Sequence, residues 1–243
     1  MIRVEQLWKS YGSRPVLHGV SFQLGAGERM ALVGPNGSGK TTLLRCLLGL
    51  VRAEGVLRVA DRDPITEHAE AQRRVAYVPQ RAPALAVPVG ELVAFWSVQR
   101  QLPKERLLAA TDALGLDVAA QYAQMFPSLS GGMQQKLLAA MALATECPIL
   151  LLDEPTANLD PPARTAFFDA LSRRTPAPTV VLSSHRLEEL RHLVDRVLVL
   201  RDGRIAFDDR LDAFLADQAL AAAAGLEVGR GSEPQPLPFR RTP

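Results

Sequence analysis

The segment GPNGSGKT at residues 34–41 decides the fold of this chain. It matches the pattern G-x-x-x-x-G-K-[ST] at every fixed position. An apolar run, MALV at residues 30–33, precedes it, and a helical pattern follows as far as Leu50. In this strand–loop–helix context the glycines let successive backbone N–H groups point inward, and the helix adds its positive N-terminal end. The segment therefore predicts a loop that binds the phosphates of a nucleoside triphosphate, because an accidental glycine-rich turn would not need that context.

The predicted phosphate ligands are spread over the whole loop. Lys40 can neutralise β- and γ-phosphate oxygens, and the Thr41 hydroxyl can bind Mg²⁺. Thr42 is expected to add a hydroxyl contact to the α-phosphate. The candidate binding residues of the loop are Gly34, Asn36, Gly37, Ser38, Gly39, Lys40, Thr41 and Thr42. Kinases, GTPases, helicases and transport ATPases share such a loop, so it leaves the task of the protein open.

A second chemical signal is an apolar strand that ends in two carboxylates. Residues 149–154 read ILLLDE. A strand that emerges beside the phosphate loop would place Asp153 near Mg²⁺ and would let Glu154 act as general base on the attacking water. A strand capped by solvated acids is the alternative. The phosphate loop, which requires such a partner, and the stiff turn at Pro155 favour the catalytic interpretation.

The composition is that of an ordinary globular protein. The chain has 243 residues, is 47% hydrophobic and 22% charged, and has a net charge of +2. These values exclude collagen-like and wholly disordered proteins, and they give no support to nucleic-acid binding through bulk charge.

Cys46 and Cys147 lie 101 residues apart, which favours reduced thiols in the cytosol over a disulfide framework. The first residues lack the apolar segment of a secretory signal, and the apolar run 137–152 is too short and too interrupted to cross a bilayer.

Apolar strands alternate with helical patterns along most of the chain. Such alternation predicts an α/β fold with a largely parallel sheet. The predicted strands include the apolar runs 30–33, 75–78, 149–152, 179–183 and 196–200, with a hairpin turn at 201–204. The helical stretch 90–126 is predicted to be an insertion, and a further helix is predicted from Gly131 to about Glu146. The polar, proline-rich residues 229–243 are predicted to be a disordered tail.

The segment LSGG at residues 129–132 connects these signals. Alone, Ser130-Gly131-Gly132 before a helix is a flexible N-terminal cap. However, Glu154 follows Ser130 by 24 residues, which is room for one helix and one strand. The order of phosphate loop, helical insertion, LSGG and acidic strand resembles the ATP-binding cassette (ABC) ATPases. That resemblance covers roughly Ile2 to Asp209 and implies a P-loop core with a mostly parallel sheet and an antiparallel β region at the N-terminus. A single ATPase domain is predicted over residues 1–228.

Four further positions match the same family in the expected order. Tyr11 resembles the aromatic residue that stacks on adenine, and Gln80 resembles the loop glutamine that joins the metal and catalytic site to the helical insertion. The segment Asn158-Leu159-Asp160 resembles the loop that crosses between subunits, and Asp160 is its candidate binding residue. His185 resembles the switch histidine that contacts the γ-phosphate. Each position alone also fits a surface or loop residue; their order around a phosphate loop supports the functional interpretation.

The resemblance implies ATP and Mg²⁺ as cofactors, and a homodimer in which the phosphate loop of one chain faces Ser130, Gly131 and Gly132 of the other. It also implies a separate integral membrane permease, bound beside Gln80 and the helices of 90–126, and hence a location at the cytoplasmic face of the membrane. Phe95 and Trp96 are candidate permease contacts or core residues of the insertion. No nucleic-acid partner is expected.

Two residues next to the LSGG segment differ from those usual in the family. Met133 stands where many family members carry Gln, and Lys136 stands where Arg is usual; neither supplies the phosphate ligands of the LSGG segment. The short interval between Gln80 and Leu129 resembles the compact subunits of exporter-type systems, including haem-exporter-like and copper-processing ones. The alternative is a soluble ABC ATPase that works on a non-transport partner. The chain has no room for the paired cassettes usual in translation and no heptads for the coiled coil of DNA repair.

Overall fold

The computed structural model describes residues 1–224, so the predicted tail at 229–243 lies outside the described residues. The strands in chain order are β1 Ile2–Tyr11, β2 Arg14–Leu24, β3 Arg29–Val33, β4 Glu54–Val59, β5 Val75–Val78, β6 Ile149–Asp153, β7 Thr179–Ser183, β8 Arg196–Arg201 and β9 Arg204–Arg210. The helices are α1 Lys40–Leu47, α2 His68–Arg73, α3 Val89–Arg100, α4 Lys104–Ala113, α5 Val118–Gln121, α6 Gly131–Ala144, α7 Pro161–Ser172, α8 Leu187–Leu193, α9 Leu211–Ala216 and α10 Gln218–Ala223. A 3₁₀ turn, Phe126–Ser128, precedes α6.

The larger sheet has the strand order β5-β6-β7-β3-β8-β9 and is parallel except for the edge strand β9. The interior positions of its central strands β3, β6 and β7 are apolar because both faces of the sheet are covered. In β3, Ala31 and Val33 join the core beneath the helical segment, whereas Met30 and Leu32 join a second core on the opposite face. The α/β fold with a mostly parallel sheet is confirmed.

A smaller antiparallel sheet has the order β2-β1-β4 and packs over the second core with α1. Strand β1 keeps its pairing on both sides despite irregularities in register after Val4, where Gln6 has a φ of 48°. The predicted antiparallel region at the N-terminus is thereby confirmed. Its place beside the larger sheet leaves the phosphate loop between the two sheets.

Helices α3, α4 and α5 occupy the stretch between β5 and α6. Val93, Leu107 and Phe126 are fully buried in the core beneath them. The helix predicted to reach Glu146 ends at Ala144 instead, since Thr145 is already extended with a ψ of 158°. The Thr145 N–H and hydroxyl both donate to the Ala142 carbonyl, at 3.3 and 2.8 Å, and so close the last turn of the helix. Among the described residues, no helix is long and apolar enough to span a membrane.

The turn between β8 and β9 contacts the phosphate loop. The Gly203 N–H donates to the Ser38 carbonyl at 3.2 Å, and the His18 N–H donates to the Gly203 carbonyl at 2.9 Å. Gly203 has a φ of 70°, and a Cβ atom there would lie 2.3 Å from the carbonyl oxygen of Val16. This turn therefore joins β2 of the smaller sheet to the loop that follows β3 of the larger one.

Candidate active site

The predicted catalytic residues lie at one edge of the larger sheet. The phosphate loop follows β3, Asp153 and Glu154 end β6, and His185 comes two residues after β7. Ser183 on β7 pairs with Asp153 on one side and with Leu32 on the other. Because the carboxyl ends of neighbouring parallel strands meet at one edge, the fold places these groups side by side, as is usual for ligand sites in open α/β sheets.

The phosphate loop keeps its shape through glycines with positive φ. Gly34 has a φ of 150°, and a Cβ atom there would lie 2.1 Å from the carbonyl oxygen of Leu200, so no larger residue fits. Gly37 and Gly39 have φ values of 82° and 108°. Pro35, Asn36 and Gly37 form the exposed tip. The loop thus presents its backbone to the outside while its base is fixed against β8.

Lys40 folds back over the loop that it follows. Its Nζ donates to the carbonyl oxygens of Gly34 at 2.5 Å and Pro35 at 3.1 Å. Burial lowers the pKa of Lys40, and the charges of Glu154 and Asp153 oppose that shift. Nearby, the Ser38 hydroxyl is buried and has no hydrogen-bond partner among residues 1–224. The Lys40 ammonium and the Ser38 hydroxyl are hydrogen-bond donors that suit an anionic ligand such as a triphosphate.

Thr41 and Asp153 form a pair of hard oxygen donors. The Thr41 hydroxyl donates to Asp153 Oδ2 at 3.2 Å, which joins the start of α1 to the end of β6. Burial raises the pKa of the Asp153 carboxyl, while the Thr41 hydrogen bond and the Lys40 charge lower it. Mg²⁺ is usually held by one or two carboxylates together with phosphate oxygens. The chemistry of these two side chains fits that ion.

Glu154 and His185 contact each other directly. His185 Nδ1 lies 2.9 Å from Glu154 Oε2, and the Glu154 side chain is only 12% exposed. Burial raises the pKa of Glu154, whereas the hydrogen bond and charge of His185 lower it. Glu154 also has a φ of 49°, a backbone conformation that non-glycine residues rarely adopt and that is common at functional sites. The arrangement supplies a shielded carboxylate beside an imidazole.

Gln80 and Tyr11 are both exposed. Gln80 comes two residues after β5, whose Val78 pairs with Leu152 of β6, so it follows the same sheet edge as Asp153. Tyr11 ends β1, and the Lys9 ammonium lies 4.9 Å from its ring centre. Tyr11 is 45% exposed, which leaves part of its ring accessible for stacking. Thr42, in the first turn of α1, is half-buried.

The LSGG segment and Asp160 form a second group. The Ser130 hydroxyl caps α6 by accepting from the Met133 N–H at 3.2 Å, and Gly131 is exposed. Asp160 caps α7 and pairs with Lys136 Nζ at 2.6 Å. Within the described part of the chain, none of the hydrogen bonds or ion pairs of Ser130 or Asp160 reaches the phosphate loop. The structure thus keeps this predicted group apart from the first one.

Two buried polar residues that the sequence analysis missed connect these parts. Gln135, 1% exposed on α6, donates to the carbonyl oxygens of Pro79 at 3.2 Å and Pro155 at 3.0 Å. Glu189, on α8, accepts hydrogen bonds from the Thr156 and Ser184 hydroxyls. The available signal was their position: each shares a buried helix face with apolar residues, such as Ala139 for Gln135 and Leu193 for Glu189.

The sheet, the loop and the buried acidic pair define a P-loop nucleoside triphosphatase. A family model described as "ABC transporter" matches residues 17–157. The chain is 33% identical to Nod factor export ATP-binding protein I of Paraburkholderia xenovorans, over 98% of this chain and 79% of the relative. It is also 33% identical to a probable amino-acid ABC transporter ATP-binding protein of Haemophilus influenzae, over 88% of this chain and 89% of the relative.

Solved structures agree with the sequence relatives. The fold matches a dimeric bacterial ABC transporter cassette with a TM-score of 0.75 and 26% identity, over 87% of this chain and 99% of that one. The chain belongs to the ABC transporter ATP-binding family, and its activity is ATP hydrolysis. The predicted resemblance and the predicted ATPase activity are both confirmed.

Proposed function

We propose that this chain is the ATP-hydrolysing subunit of an exporter, and that it works as a homodimer on a separate integral membrane permease at the cytoplasmic face of the cell membrane. The observation that carries the hydrolytic part of the proposal is the shielded Glu154–His185 contact beside the phosphate loop. The relatives named for Nod factor export and for amino-acid transport support a transport role. The export direction rests on the compact interval between Gln80 and the LSGG segment.

In the proposed mechanism, Tyr11 stacks on the adenine, and the backbone amides of the loop with Lys40 hold the phosphates. Thr41 and Asp153 would hold Mg²⁺, with Gln80 adding an amide oxygen; the ion, when bound, supplies charge neutralisation at phosphate oxygens. Glu154 takes the proton of the attacking water, and His185 fixes Glu154 and donates toward the γ-phosphate. The burial of Glu154 makes its carboxylate a stronger base than a solvated one.

The second group would complete the site of another copy. The N-cap Ser130 and the first helical residue Gly131 are exposed, and Gly132 is half-buried; this is a ready anion site at the N-terminus of α6, a helix of 14 residues. Their separation from the phosphate loop of their own chain supports a composite site between two chains. The dimeric cassette to which this chain is similar is consistent with that arrangement.

A groove of about 740 Å³ between β5 and α3 is the proposed permease site. Its lining is mostly apolar and includes Tyr77, Pro79 and Leu85, and the Phe95 side chain stands 62% exposed at its rim. Trp96 also lines it but donates its Nε1–H to the Met141 carbonyl at 3.0 Å, so its side chain is held against α6. An exposed apolar groove next to Gln80 suits a short apolar helix at the cytoplasmic end of a permease.

A mixed-dimer experiment tests the composite site. Lys40→Ala removes the loop cation, and Ser130→Arg places a bulky cation in the LSGG segment; each homodimer should be nearly inactive. In the mixed dimer one site carries both lesions and the other carries none. Mixing should therefore restore ATP-dependent pairing and part of the hydrolysis. If labelled mixed dimers recover neither, each chain completes its own site and the dimer proposal is wrong.

The permease proposal is tested by recovery from solubilised membranes. A tagged chain should copurify with a multi-helix membrane protein, and Phe95→Glu should abolish this while leaving the ATPase activity of the isolated chain intact. Val98→Glu is the matched control, because Val98 lies on the same helix, is 79% exposed and is not part of the groove lining. Recovery with ribosomes or DNA instead would favour the non-transport alternative.

A further inference from the structure

Glu189 is a buried carboxylate outside the predicted catalytic set. It lies on α8, four residues after His185, and is only 4% exposed. Its Oε1 accepts from the Thr156 hydroxyl at 2.5 Å, and its Oε2 accepts from the Ser184 hydroxyl at 2.7 Å. An acidic side chain is rarely buried this deeply unless its hydrogen bonds are made.

These two bonds hold the chain next to both catalytic groups. Ser184 directly precedes His185, and its hydroxyl also accepts from the Arg186 N–H at 3.1 Å, so the backbone is fixed on both sides of the histidine. Thr156 follows Glu154 by two residues. One carboxylate therefore ties the segment that carries the histidine to the segment that carries the glutamate, whose side chains lie 2.9 Å apart.

Two guanidinium groups lie near the Glu189 carboxylate. Arg164 Nε, from α7, lies 3.8 Å from Oε1, and Arg186 Nε lies 4.0 Å from the same oxygen. A buried carboxylate with two hydroxyl donors and two nearby guanidinium groups has its charge compensated from several directions. Glu189 thus holds the segment with Thr156 and the segment with Ser184 in fixed positions.

We propose that Glu189 is a positioning residue for hydrolysis: it holds His185 and Glu154 at their contact distance and acts on the reaction through them. The inference rests on the roles proposed above for these two residues. Because the phosphate loop and Tyr11 make no hydrogen bond to Glu189 in the described residues, ATP binding should not depend on it. Loss of Glu189 therefore lowers kcat and leaves KM for ATP unchanged.

The test begins with Glu189→Gln, which keeps the shape of the side chain and removes its charge. Losing hydrogen bonds to a charged group predicts a fall in kcat of about 10- to 100-fold. Glu188→Gln is the matched control, because Glu188 is the neighbouring glutamate on the same helix and is exposed; it should keep wild-type kcat. A Glu189→Gln protein with wild-type kcat would overturn the proposal.

A second pair of variants covers the case in which Glu189→Gln does not fold. Thr156→Val removes the hydroxyl at nearly constant volume, whereas Thr156→Ser keeps it. Thr156→Val should lower kcat with KM unchanged, and Thr156→Ser should restore most of the rate. If the two variants have equal kcat, the hydroxyl-to-Glu189 bond does not position the site and the proposal is overturned.

The His185→Ala background separates positioning from a general structural role. If Glu189 acts through His185, then Glu189→Gln should cost much less in that background than in the wild type. Equal fold losses in a slow His185→Ala protein and in the wild type would overturn the positioning role alone. A His185→Ala protein with wild-type kcat would instead refute the proposed role of His185, so the two failures are distinguishable.

Discussion

Replacing Glu154 by Gln should separate catalysis from both ATP binding and stability. The substitution keeps the side chain's size next to His185 but removes the carboxylate that is proposed to act as base. General-base catalysis contributes about 10²–10⁴-fold. At about 1.36 kcal/mol per tenfold, this is a loss of roughly 2.7–5.4 kcal/mol of transition-state stabilisation. The phosphate cradle is untouched, so the ATP-bound dimer should accumulate.

The structure also predicts the sign of the stability change. Burial raises the pKa of Glu154, which means that the folded protein holds the ionised form less well than the unfolded chain does. Above that raised pKa the charge destabilises the fold, and the neutral amide removes the cost. The melting temperature of Glu154→Gln at pH 8 should therefore equal or exceed that of the wild type. Glu154→Gln would then lose turnover without any loss of thermal stability.

Four measurements on the same preparations decide the matter: phosphate release at saturating ATP, ATP affinity, dimer fraction by size-exclusion chromatography with ATP, and melting temperature. Glu188→Gln, on the exposed face of α8, should match the wild type in all four. Turnover retained by Glu154→Gln would refute the assignment of the base. A fall in ATP affinity or melting temperature large enough to explain the lost turnover would refute it as well.

Two further predictions follow from the same site. Glu154 acts as a base only when unprotonated, and burial raises its pKa, so kcat/KM should fall with decreasing pH at a higher pH than the ordinary glutamate pKa of about 4.3. His185→Ala removes a group that lowers the pKa of Glu154, so the acidic limb of the pH profile should move to still higher pH. An acidic limb that stays in place or moves to lower pH would contradict the coupling between the two residues. Gly34→Ala should destabilise by about 2–5 kcal/mol, since a positive φ is combined with a Cβ 2.1 Å from a backbone oxygen. Gly12→Ala, with a φ of 57° and open space, should cost only about 1–2 kcal/mol in the same calorimetric melts, and equal losses would show that the Leu200 contact is relieved cheaply.

Much of the fold could be predicted because its central strands are apolar on both faces. The runs ending at Val33 and Leu152 left no polar side for solvent, which identified buried parallel strands and located the loop and the acids at their ends. The site followed from the same logic, since parallel strands bring their carboxyl ends together. Side-chain contacts such as the one between Glu154 and His185 depend on strand order, which a linear pattern does not encode.

Other features were missed for identifiable reasons. No helix was assigned to α7, although Asp160 caps it, proline follows, and Ala163, Phe167 and Leu171 are buried at intervals of four. The sequence of this segment therefore contains the pattern that predicts a helix. Glu189 is different: its spacing of four from Leu193 places it on the buried face of α8, but its partners, the Thr156 and Ser184 hydroxyls, are brought to it only by tertiary placement. A helical pattern therefore marks Glu189 as buried but does not identify what it binds.

The turn at Asp202–Gly203 has a consequence for anyone who modifies this protein. It is a short surface hairpin with an exposed tip, which is the kind of place chosen for an epitope tag, a fluorescent label or a circular permutation. Yet its glycine is bonded to the phosphate loop on one side and to the smaller sheet on the other. An insertion there would break the hydrogen bonds that join β2 of the smaller sheet to the phosphate loop. The α3–α4 connection at 101–103 offers a surface break at which no such bond is lost.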